Sequence, residues 1–71
     1  MSEQELFKGT TKEAILDLWN EATFYMRGNG LPLGNEGFRE YLDVRTPFPK
    51  DIKDALTWEV LEKKFKEVLR K

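Results

Sequence analysis

An all-α fold, a small bundle of three main helices plus one or two short helices, follows from three features of the sequence. Apolar residues recur at i, i+3, i+4 spacing in separate stretches, capping and glycine signals punctuate those stretches, and the last one carries Glu-to-Lys pairs at i, i+4. Its 71 residues, read as one domain over 1–71, lie at the small end of the independently folding range. At that size only about 60% of the unfolded chain's surface is buried, so one modest core is all the chain can build.

The first long helix is read from "TTKEAILDLWNEATFYM", where Thr10 and Glu13 have the spacing of a capping box. Ile15, Leu18, Trp19, Ala22, Tyr25 and Met26 then fall on one stripe about 120° wide, with Leu16 on its flank and Phe24 on the opposite side. Phe24 therefore needs cover of its own, from the glycine loop that follows or from a second chain. Arg27 followed by Gly28 ends the helix, because glycine can take the left-handed conformation that closes the last carbonyls. Gly30 and Pro32 then forbid continuation.

Asn35 reads as the N-cap of a short helix over Glu36 to Val44, with Phe38, Tyr41 and Leu42 on one face and Gly37 as a weakness of about 1 kcal/mol. Pro47 and Pro49 make "RTPFPK" extended and hold Phe48 as an anchor into the core. Ile52, Ala55 and Leu56 mark another short helix. It cannot run straight into the last one, since Ile52 would lie near 180° from Leu61 while Phe65 and Val68 lie within about 40° of it. A break at Thr57 resolves the phase conflict, and its hydroxyl caps a separate helix from Trp58. Glu59 with Lys63, Glu62 with Lys66 and Glu67 with Lys71 support that helix. At the N-terminus, "SEQELFKG" reads as a further helical turn stopped by Gly9, with Leu6 and Phe7 docked on the bundle. The expected core is Trp19, Phe38, Leu42, Leu61 and Phe65. The alternative architecture adds a two-stranded ribbon from Gly28 to Leu33 and Val44 to Phe48.

The net charge of −1 conceals a gradient: the segment to Thr23 carries five acids against Lys8 and Lys12, and the segment from Thr57 carries five bases against three acids. Opposite charge at the two ends favours first and last helices lying side by side. No apolar run approaches the roughly 18 residues of a membrane span, and the first residues lack the apolar centre of a secretory signal, so no membrane partner and a cytoplasmic location are expected.

Without Cys or His the chain has no disulfide, thiolate or imidazole chemistry, and no cofactor or metal site is expected. The glycine-rich stretch Gly28 to Gly37 is spaced G-x-G-x-x-x-G after a helix, lacks Lys-Ser/Thr, and reads as a corner rather than a phosphate cradle. Carboxylate pairs at i, i+3, Glu40 with Asp43 and Asp51 with Asp54, are common on solvated helices and do not make an enzyme.

Function is expected to be non-enzymatic protein–protein interaction, with a protein partner or a homodimer. The predicted contact residues are Phe24, Leu31, Leu33 and Phe48, apolar side chains that the helical stripes do not absorb. The alternative is a small helix-turn-helix-like nucleic-acid-binding domain using Lys50, Lys53, Lys63, Lys66 and Arg70. Asp43, Asp51 and Asp54 among those bases, and a pI near 5.4, weigh against it.

Overall fold

The computed structural model describes residues 3–70, with side chains from Glu5 onward. Its elements are α1 (Glu3–Leu6), α2 (Lys12–Gly28), α3 (Asn35–Arg45), α4 (Lys50–Ala55) and α5 (Trp58–Leu69). Three are long, two are short, and among the described residues there is no strand, so the class is all-α as the periodicity predicts. The ribbon alternative fails because Gly28 closes α2 and Val44 is still inside α3.

The helix ends were displaced from their predicted positions by neighbouring turns. Thr11, rather than Thr10, caps α2, its hydroxyl accepting from the Ala14 amide at 3.1 Å. Thr10 belongs to the preceding turn, where its amide donates to the Phe7 carbonyl at 3.0 Å beside left-handed Gly9 (φ 77°). At the other end, Gly28 stays helical and Gly30 (φ 68°) supplies the left-handed residue. The Leu31 amide donates to the Met26 carbonyl at 2.8 Å and the Gly30 amide to Arg27 at 3.3 Å, the paired bonds of a Schellman motif. That motif also brings Leu31 back toward Met26, and Leu31 packs half-buried against the core.

Asn35 does not cap its own helix. Gly34 occupies the N-cap of α3 without a side-chain bond, and Asn35 Oδ1 instead accepts from the Trp58 amide at 2.8 Å. The entrance of α5 is thereby closed twice, since Thr57 is extended (φ −96°, ψ 166°) and its hydroxyl accepts from Val60 at 3.2 Å. The predicted break at Thr57 stands. Gly37 also has a packing reason: a Cβ there would meet the Pro32 carbonyl oxygen at 2.5 Å and Met26 Sδ at 2.9 Å, so the loop crosses α3 where no side chain fits.

One cluster forms the core: Ile15, Ala22 and Met26 from α2, Phe38, Tyr41 and Leu42 from α3, Leu56, and Trp58, Leu61 and Val68 from α5. Leu6, Phe7 and Phe48 pack against it, as predicted. Trp19 and Phe65, placed at the centre by periodicity, are only half-buried. They form a column with Trp58, in which Trp19 lies 4.2 Å from the Trp58 ring and 4.3 Å from the Phe65 ring, nearly parallel to both. Rings that long reach across the α2–α5 seam rather than into the middle of so thin a core. The first and last long helices thus do lie side by side, and stacked aromatics make the contact. Of the three i, i+4 pairs expected on α5, Glu62 with Lys66 is seen at 3.6 Å, while Glu67 with Lys71 falls outside the described residues.

A candidate protein-contact surface on α2

The side chains facing away from the core on α2 follow from the same 3.6-residue period that buries Ile15, Ala22 and Met26. On that outer stripe Phe24 is flanked by Asp17, Asn20, Glu21, Arg27 and Gly28. Neither the glycine loop nor any other described segment covers Phe24, whose side chain is 82% exposed. Two open depressions flank it. One, of about 590 Å³, runs over Glu21, Tyr25, Gly28, Asn29, Tyr41 and Arg45, and the other, of about 530 Å³, over Asn20, Thr23, Arg27 and Gly28.

A third, more apolar groove of about 530 Å³ continues the first, sharing Glu21, Tyr41 and Arg45 with it. Its walls include Leu6 and Phe7 near α1, Leu18 on α2, and Phe48 and Ile52 from the segment around α4. The two proline residues that keep residues 46–49 extended are what lay Phe48 along this groove. Phe24 and Phe48, two of the four predicted contact residues, therefore belong to one strip. The other two do not: Leu31 is drawn into the helix-ending motif, and Leu33, 46% exposed, lines none of the three depressions.

The polar centre of the strip was not foreseen as a unit, because its members come from two helices about twenty residues apart. Tyr41 donates its hydroxyl proton to Glu21 Oε2 at 3.2 Å. Burial, followed by the charge and hydrogen bond of Glu21, pushes the Tyr41 phenol from 10.0 up to about 12. Arg45 stands over the Tyr25 ring with its guanidinium carbon 5.5 Å from the centroid, and Tyr25 tilts against Tyr41 at 5.6 Å. At neutral pH Tyr41 is thus a fixed donor and not a proton acceptor. Among the described residues no three carboxylates, imidazoles or thiolates converge as a metal cage requires.

The bases of the nucleic-acid alternative are dispersed. Lys53 holds Asp43 at 3.2 Å, and Arg39 bridges Asp43 at 3.2 Å and Asp54 at 2.7 Å, so these four α3–α4 charges are spent on each other. Asp43 is held below the usual carboxylate range, first by its bond to Lys53 and then by Arg39. On α5, Lys66 pairs with Glu62, Lys63 is also engaged, and Arg70 is exposed at the helix end; Lys50 is exposed at the start of α4. Of the acid pairs read from spacing, Asp43 and Asp54 are parts of this ionic cluster.

Among the described residues no helix is long and apolar enough to cross a membrane. No protein-family model matches the chain, and no curated protein or solved structure matches it.

Proposed function

We propose that this chain is a non-enzymatic protein-interaction module whose contact surface is the strip around Phe24 and the apolar groove that adjoins it. The observation that carries the reading is the phenyl ring of Phe24, 82% exposed near the C-terminal end of the longest helix. A lone exposed apolar side chain is ordinary on a protein surface. This one is not alone, because the depression beside it opens into a groove walled by Leu6, Phe7, Leu18, Phe48 and Ile52. Aromatic anchors of this kind, beside a groove with a few oriented polar groups, are what protein contacts draw their energy from.

The polar groups of the strip support recognition rather than chemistry. Tyr41 keeps its proton up to about pH 12 and its bond to Glu21 leaves both groups committed as a pair. For nucleic acid, an element reading a groove would need cations free to meet phosphates. Helix α4 has six residues, and its Lys53 is tied to Asp43.

The test is capture from a cell extract at moderate salt by the wild type and by Phe24→Asp, beside titration with mixed-sequence nucleic acid at low and moderate salt. The wild type should retain proteins that Phe24→Asp loses, and nucleic acid should not be bound. Identical retention by both forms, or nucleic-acid binding that falls steeply with salt, defeats the proposal.

A further inference from the structure

We infer that the partner is a second copy of this chain, docked about a two-fold axis that passes between the two α2 helices at the level of Asn20 and Glu21, so that each Phe24 ring seats in the apolar groove of the other copy. This rests on reading the α2 strip as a protein-contact surface, and it adds who the partner is.

Knob and socket lie on one helix. The α2 wall of the groove is made by Ala14, Asp17, Leu18 and Glu21, while Phe24 stands free beyond its end. Phe24 and Asp17 are two helical turns apart, about 10 Å along the axis. A two-fold axis midway between them exchanges these positions, laying each ring over Asp17 at the α2 edge of the opposite groove, beside Ala14. Both knobs and both sockets are then filled at once, and the contact closes at two chains with nothing left to propagate a filament.

Charge fixes the direction. The outer stripe of α2 is acidic toward its start, with Glu13, Asp17 and Glu21, and basic at its end, with Arg27. No ion pair among the described residues engages Glu13, Asp17 or Arg27. Reversing one copy on the other sets each Arg27 against Glu13 and Asp17 of the facing helix, twice by symmetry. Parallel pairing would set acid on acid. Complementarity of this kind selects the register and orientation of an interface.

The experiment is sedimentation equilibrium of the full chain from micromolar to millimolar concentration, on the wild type, Phe24→Asp, Arg27→Glu and Asp17→Arg, each checked for its helical signal. The wild type should sediment as two chains. Phe24→Asp should weaken the pair several-hundred-fold, because the two-fold removes both rings at once: two hot-spot truncations of about 2 kcal/mol each, converted at 1.4 kcal/mol per tenfold. Arg27→Glu and Asp17→Arg should each pair more weakly than the wild type. An equimolar mixture of the two should pair more tightly than either variant alone, because both contacts between positions 17 and 27 are attractive again. A wild type that stays a single chain throughout overturns the inference, as does a dimer indifferent to Phe24→Asp or a mixture no better than its components. Those results sink self-association alone, whereas the broader reading fails separately, on identical capture from extract by the wild type and Phe24→Asp.

Discussion

Tyr41 is almost fully buried, and its neighbours decide when it can lose a proton. Its phenol is raised from 10.0 to about 12, first by burial and then by Glu21, so the folded chain keeps a proton that the unfolded chain releases. Stability from this group is complete below pH 10 and is lost as pH rises through about 12. Thermal melts followed by circular dichroism should show the midpoint falling across that window, and Tyr41→Phe should remove that part of the fall. Two glycines make a second contrast at this scale. At Gly37 an added methyl meets backbone at 2.5 Å, so Gly37→Ala should cost about 1–3 kcal/mol despite a gain of about 1 kcal/mol in helix propensity. Gly28 has ordinary helical geometry and open space around it, and Gly28→Ala should stabilise by about 0.5–1 kcal/mol. Urea midpoints of the two variants moving in the same direction would contradict this account.

Among the elements, α5 depends most on its entrance. Thr57 closes it from its own chain position and Asn35 from the first position of α3. Thr57→Ala should cost about 0.5–2 kcal/mol in chemical denaturation, where alanine inside a continuous helix would be neutral or stabilising. This break was legible in the sequence because the apolar phases of Ile52 and Leu61 conflict, and a phase conflict is a local signal. The end of α2 was not legible to the residue. Gly28 and Gly30 both satisfy the local rule, and the choice fell to Gly30 through the return of Leu31 toward Met26. Asn35 departs from its sequence pattern for a related reason: the pattern offers it a helix of its own to cap, while its side chain accepts from Trp58, twenty-three residues away. The outward position of Phe24 could be read from the stripe it departs from. The groove beside it could not, since its walls come from α1, α2 and the segment around α4, which only packing brings together.

At the scale of the molecule, the thin core shifts where stability resides. Leu61 is fully buried whereas Phe65 is half-buried in the ring column, so Leu61→Ala should cost about 2–5 kcal/mol and Phe65→Ala less. A larger loss at Phe65 would show that the column, not the cluster, holds α2 to α5. A small core also couples stability to association, because a partner that binds only folded chain adds free energy by mass action. At a concentration 100 times the dissociation constant of such a partner the gain is about 2.7 kcal/mol, and each kcal/mol moves the midpoint of a domain this size by about 4–8 °C. If the Phe24 strip joins two copies, the wild-type midpoint should climb with protein concentration and that of Phe24→Asp should stay flat. At high dilution the two should converge, since in the single chain the ring is 82% exposed and contributes little burial to lose. A Phe24→Asp midpoint well below the dilute wild type would mean that Phe24 supports the fold itself, and a flat wild-type curve would mean that no second copy contributes.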